Sequence, residues 1–148
     1  MKNFTLPIRF GLVASGCLIA YFLILSLMGY HTNIFFSLFN GVITGFALFE
    51  VIKYSKIQNP NTFDYKMGFV NGLTTGFVAT ILFTLFFAFY STELNPDFLT
   101  QLSEKWSSDY SNFKAIVFFT VFIMGIATTT VLTLSFMQLF KSSNNPNK

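Results

Sequence analysis

Charge is what this chain has least of. Lys, Arg, Asp and Glu together make up 10% of its 148 residues, against about a quarter in an ordinary soluble domain. That scarcity excludes a charged, water-facing surface over most of the molecule. A single cysteine excludes an intrachain disulfide framework and a cysteine-based metal site. The single histidine, His31, lies in the turn Gly29-Tyr30-His31-Thr32-Asn33 with no Cys, Asp or second His beside it, which speaks against metal ligation. The chain carries no phosphate loop, Ser-His-Asp set, paired intramembrane carboxylate or His-rich motif. Enzymatic activity therefore has no positive support, and no cofactor is implied. The formal charge of +3 comes from scattered basic residues rather than a cluster, so nucleic acid is not an expected partner.

What the chain has instead is apolar length. Hydrophobic residues make up 53%, 22 of the residues are Phe, and the mean hydropathy is +0.58. Four runs are long enough to cross a hydrocarbon core of about 30 Å, which takes roughly 20 residues at 1.5 Å each. They run from about 8 to 28, 34 to 54, 65 to 90 and 113 to 140. The expected fold is an all-α integral membrane protein of one domain, with four transmembrane helices arranged as two antiparallel hairpins. Within the first run, Ala14-Ser15-Gly16-Cys17 resembles a lipoprotein cleavage box. Only Phe10 to Val13 separate Arg9 from it, and the run stays apolar to Met28, so an uncleaved span is the expectation.

A seven-residue pattern occurs twice: Asn40-Gly41-Val42-Ile43-Thr44-Gly45-Phe46 in helix two and Asn71-Gly72-Leu73-Thr74-Thr75-Gly76-Phe77 in helix three. Glycines at i and i+4 share one helical face and leave a groove where a second backbone can come close. Ser37 extends the small face of helix two. In helix three Gly68, Gly72, Gly76, Thr80, Thr84 and Ala88 recur every four residues, which predicts the central, most contacted helix. Helices two and three run antiparallel, so the two copies are expected to meet near mid-membrane, with Asn40 and Asn71 reaching each other or Thr44 and Thr75. Inverted repeats of transporters stand in that relation. Coincidence in low-complexity membrane sequence explains the same pattern, and helices one and four offer no comparable match.

Ionisable or strongly polar residues inside a bilayer are functional candidates by default. Asn40, Asn71, Thr44 and Thr75 read either as structural glue between helices or as substrate contacts. Glu50, near the end of helix two, reads as a carboxylate paired with Lys53 at i+3 or as a proton-relay group.

Other signals mark helix ends. Asn59-Pro60-Asn61 is a turn, with Thr62 or Asp64 available to cap helix three. Asn95-Pro96-Asp97 reads as N-cap, proline at the first helical position and an acid in the first turn. Leu99, Leu102, Trp106 and Tyr110 then follow at helical spacing, which predicts a short amphipathic helix over about 96–110 lying in the membrane interface, or else a solvated loop. The Ser-, Asn- and Lys-rich tail 141–148 is expected to be disordered.

Seven of the nine basic residues, Lys2, Arg9, Lys53, Lys56, Lys66, Lys141 and Lys148, fall on the side of the termini, and only Lys105 and Lys114 fall on the other. The positive-inside rule then makes both termini cytoplasmic.

The segment from Phe63 to Leu99, with Lys66-Met67-Gly68-Phe69, the glycine-spaced span and Leu94-Asn95-Pro96-Asp97-Phe98-Leu99, resembles a domain-of-unknown-function family of small four-helix membrane proteins common in Bacteroidota. The resemblance implies a multi-pass inner-membrane protein with an extracytoplasmic segment after the third span, and brings no catalytic residues. The expected function is a structural or interaction component, with the lipid bilayer and a second copy or another membrane protein as partners. The alternative is a small transporter or permease-type subunit whose pathway forms between protomers.

Overall fold

The computed structural model describes residues 5–30, 33–105 and 112–140. Within them the chain is helical and contains no strand: α1 is Thr5–Leu27, α2 Ile34–Gln58, α3 Tyr65–Phe89, α4 Asp97–Lys105 and α5 Phe113–Phe140. A π-helical turn, Tyr90–Leu94, continues α3. Four of the helices, α1, α2, α3 and α5, are each long and apolar enough to cross a membrane.

The helix ends follow from local chemistry. After α1, Gly29 takes φ 75°, and Tyr30 N donates to Leu25 O at 2.9 Å, closing the helix with a left-handed residue that glycine adopts without strain. The Asn33 side chain caps α2 by accepting from Phe35 N at 3.0 Å. α2 runs a turn further than its charges suggest, through Lys53 and Lys56 to Gln58, because nothing in that stretch breaks a helix before Asn59-Pro60. Of the two candidate caps for α3, Asp64 takes the role, accepting from Met67 N at 2.7 Å. α4 is described from Asp97 to Lys105, and the rest of the expected helix, with Trp106 and Tyr110, lies outside the described residues, as do His31 and the tail 141–148.

α3 lies at the centre and packs against α1, α2 and α5; α2 also touches α1 and α5. The α3–α5 seam is antiparallel and keeps one register over four levels: Gly68 faces Met137, Gly72 faces Thr133, Gly76 faces Thr129, and then the roles reverse, with Thr80 facing Gly125. Both helices step by four residues, so a ridge on one keeps meeting a trough on the other. A methyl group added at Gly72 would lie 2.6 Å from Thr133 Cγ2, and one at Gly125 would lie 2.5 Å from Thr80 Cγ2. Such close approach adds dispersion contacts of about 0.1–0.2 kcal/mol per atom pair.

α1 runs parallel to α3 with an equally close crossing, where Gly11 meets Val78 and the Thr75 carbonyl. Apolar side chains fill the two ends of the bundle. Phe22, Phe87, Tyr90, Phe98 and Leu99 are buried together where α1, α3 and α4 converge, while Val51, Ile52 and Met137 are buried at the end that carries Lys53, Lys56 and Lys66. We call these the α4 end and the lysine end. α2 is buried unevenly: Gly45, Leu48, Val51, Ile52 and Ser55 are buried, whereas Phe35, Leu38, Phe39, Val42 and Phe46 are exposed.

Candidate functional site

The α3 copy of the repeated motif is engaged on three sides. Asn71 Nδ2 donates to Ser55 Oγ of α2 at 2.8 Å, with both residues buried. Thr75 Oγ1 donates to the Pro7 carbonyl of α1 at 3.1 Å. Gly72 and Gly76 receive Thr133 and Thr129 of α5. Polar groups in an apolar interior are costly without partners, so the two bonds hold α2 and α1 to α3 at fixed depth, while among the described residues α5 is held to α3 by close packing alone. Gly68, one step before the motif, is closed off by Met137 and Phe63.

The α2 copy is in a different condition. Gly41 has nothing within 4 Å of the position a side chain would take, and Gly45 has only an ordinary contact, Leu132 Cδ1 at 3.5 Å. Thr44 is half-buried, and Asn40 Oδ1 is buried without a hydrogen-bond partner among the described residues. The two copies do not meet. Asn71 bonds to Ser55, which lies fifteen residues beyond Asn40 on α2, about 22 Å away at 1.5 Å per residue. The reason is positional: each motif sits a turn and a half in from the N-terminus of its own helix, and antiparallel helices place such positions at opposite ends of the bundle.

Glu50 pairs with Lys53, with Nζ 3.4 Å from Oε1 and both side chains partly exposed. Lys56 does more than mark a boundary. Its Nζ donates to the Phe140 carbonyl at 3.4 Å and lies 5.8 Å from the Phe140 ring centroid, tying α2 to the C-terminal end of α5, where a cation is favoured. Asn40, Thr44, Glu50, Asn71 and Thr75 are thus spread along the bundle rather than gathered at one place.

The α4 end holds a polar pivot within aromatic walls. In the π turn Asn95 N donates to Tyr90 O at 2.8 Å, five residues back, and the Ser91 and Thr92 hydroxyls donate to Phe87 O at 2.7 Å and Ala88 O at 2.9 Å. The Tyr90 hydroxyl is hydrogen-bonded to Ser26 Oγ and receives the Asn95 amide at 3.3 Å. Asn95 was expected to cap α4 with its side chain. Its side-chain amide nitrogen donates to the Tyr90 hydroxyl, and its backbone carbonyl accepts from Phe98 N at 3.1 Å in the first turn of α4. Pro96 and Asp97 are exposed, Leu102 is half-buried, and Leu99 is buried with Phe98, each 3% exposed. Phe98 stacks edge-on to Phe87 at 5.6 Å between ring centroids, and Tyr90 to Phe22 at 5.0 Å. Phe98 escaped the sequence stripe of Leu99, Leu102 and Trp106; its position beside Leu99 was the available signal.

A crevice and a groove open among the described residues. A crevice of about 260 Å³ lies between Pro7 and the first turns of α3 at the lysine end. A wider groove of about 840 Å³ lies between α2 and α5, lined among others by Gly41, Gly45, Phe46, Thr128 and Val131. Among the described residues no group of three or more His, Cys, Asp or Glu could hold a metal ion. No protein-family model, curated protein or solved structure matches the chain.

Proposed function

We propose that the chain is a multi-pass protein of the bacterial inner membrane that crosses it four times and serves as a structural or interaction component, held to a second copy or to another membrane protein through α2. The observation that carries this reading is the contrast between two copies of one motif. In α3 the glycine trough is filled by Thr129 and Thr133 of the same chain, whereas in α2 Gly41 opens onto the α2–α5 groove with nothing against it. A small-residue face lets a second helix backbone approach closely. In the α2 copy that face is left for a helix from elsewhere.

Orientation follows from charge. Arg9, Lys53, Lys56 and Lys66 stand at the lysine end, which by the positive-inside rule faces the cytoplasm together with both termini. α4 then lies at the extracytoplasmic surface, with its exposed Asp97, Thr100, Gln101 and Glu104 toward water. The resemblance of the Phe63–Leu99 segment to a Bacteroidota membrane family supports the same address.

The experiment is the oligomeric state in mild detergent of the wild-type protein and of Gly41→Leu. The reading expects an assembly that Gly41→Leu dissociates without lowering the melting temperature of the protomer. A wild-type protein that leaves the membrane with neither a second copy nor another membrane protein bound, or an assembly indifferent to Gly41→Leu, overturns it.

A further inference from the structure

The short helix α4 hangs on the bundle by its first turn. Phe98 and Leu99 are buried and Leu102 is half-buried, whereas Asp97, Thr100, Gln101 and Glu104 are exposed. At 100° per residue the three apolar residues share one side of the helix and the four polar ones the other.

The joint between α3 and α4 lies at one residue. On the α3 side the Ser91 and Thr92 hydroxyls hold the Phe87 and Ala88 carbonyls, and Asn95 N closes the π turn on Tyr90 O at 2.8 Å. On the α4 side Phe98 N donates to Asn95 O at 3.1 Å. Both backbone bonds thus end at Asn95, one on its N–H and the other on its carbonyl, and rotation about the Cα–C bond between them breaks neither. Pro96 concentrates the turning there, because its ring fixes its own φ and it has no N–H to bond back into α3. Asn95 stands at φ −143° and ψ 76°. A residue before proline also occupies ψ of about 120–160° readily, so a second setting is open to it. The Tyr90 hydroxyl, which receives the Asn95 amide and is bonded to Ser26 of α1, holds the pivot itself in place.

Apolar burial does not by itself decide between two settings of α4. Lipid is as apolar as the interior of a helix bundle, and a two-sided helix finds the same burial in the membrane interface. What favours the docked setting is ring packing that lipid does not supply. Phe98 stands edge-on to Phe22, Phe87 and Tyr90, with ring centroids 6.3, 5.6 and 6.2 Å apart.

We propose that α4 is a lid, hinged at Asn95, that exchanges between the aromatic end of the bundle and the membrane interface, with lipid packing setting the balance. Closed, it covers Phe22 and Phe87. Open, it leaves an apolar notch beside those rings and lays Phe98, Leu99 and Leu102 on the bilayer. Loosely packed lipid admits inserted side chains more readily and favours the open setting. The proposal rests on the helices crossing a bilayer but not on the partner assigned to α2.

The test uses the full chain carrying Cys17→Ala, Leu27→Cys and Thr100→Cys, spin-labelled at positions 27 and 100, which are both exposed. The distance between the labels is measured by electron double resonance in vesicles of dioleoylphosphatidylcholine, with and without cholesterol to tighten the packing. Two distances should appear, the open one more populated without cholesterol. Phe98→Leu, which stays apolar but loses the three ring contacts, should raise the ratio of open to closed about tenfold. Tyr90→Phe, a second variant that removes one oxygen and frees the pivot, should broaden the open population. A single distance that neither variant changes, or a ratio indifferent to cholesterol, overturns the lid. Extraction of the protein from membranes by alkaline carbonate would instead overturn the membrane reading itself, so the two failures are distinguishable.

Discussion

Gly76 lies so close to Thr129 that the two residues occupy what would be one side chain's space: a methyl group at Gly76 would overlap the threonine Cγ2 and Oγ1 and stand 2.7 Å from its Cβ. The hydroxyl offers no relief, because Thr129 is 1% exposed and its Oγ1 has no hydrogen-bond partner among the described residues. Gly76→Ala should therefore destabilise the fold by about 1–3 kcal/mol, overriding the gain of up to about 1 kcal/mol that alanine brings to a helix. Gly41→Ala, with open space around it, should keep that gain. Melting temperatures of the two variants in one detergent check the contrast, and equal shifts would place the seam elsewhere.

The two asparagines of the repeated motif should behave oppositely. Asn71→Ala removes a buried bond and strands Ser55, at a cost of about 1–2 kcal/mol. Asn40→Ala removes a buried oxygen that has no partner, so it should be neutral or stabilising. A double-mutant cycle on Asn71 and Ser55 should give a coupling of about 0.6–1.7 kcal/mol, and a coupling near zero would mean that the bond holds nothing.

Phe98 anchors α4. Truncation to alanine empties the space beside Phe87 and Tyr90 and should cost up to about 3 kcal/mol of docking free energy. Hydrogen exchange is the direct measurement: amides of Leu99 to Glu104 should exchange faster in Phe98→Ala while those of α3 around Gly72 stay protected. Unchanged exchange in α4 would show that Leu99 alone secures it.

Glu50→Gln should change stability by less than about 0.5 kcal/mol, since its pair with Lys53 is partly exposed and neighbouring in sequence. A large change on thermal unfolding would assign Glu50 a role beyond that pair.

Cysteine labelling tests the orientation. With Cys17 replaced by alanine, Ser103→Cys at the α4 end should react with an impermeant maleimide from outside the cell, and Gln58→Cys at the lysine end should not. The reverse pattern would invert the protein in the membrane.

The four long helices were legible because a run of twenty apolar residues has few other meanings, and the trough of α3 was legible because Gly68, Gly72, Gly76 and Thr80 keep a period of four. What fills the trough was not. Small residues announce a gap without naming its occupant, and symmetry between the two motif copies pointed to α2. The matching series, Gly125, Thr129, Thr133 and Met137, was present in α5 at the same period. It is masked there by Thr128 and Thr130, which make the run look like a polar cluster rather than a stripe. The Pro7 carbonyl that receives Thr75 left no trace in the side-chain pattern, since it is a backbone atom on a helix distant in sequence.

The reversal of roles along the α3–α5 seam bears on how the protein is made. α5 leaves the ribosome after α1, α2 and α3, so the trough from Gly68 to Gly76 stands complete before the helix that fills it is made. Until Gly125 to Met137 emerge, the nascent chain carries a vacancy of defined shape at its centre. The arrival of α5 is thus a closure step that reads four levels at once, and a helix docked one residue out of phase would lose the match at every level.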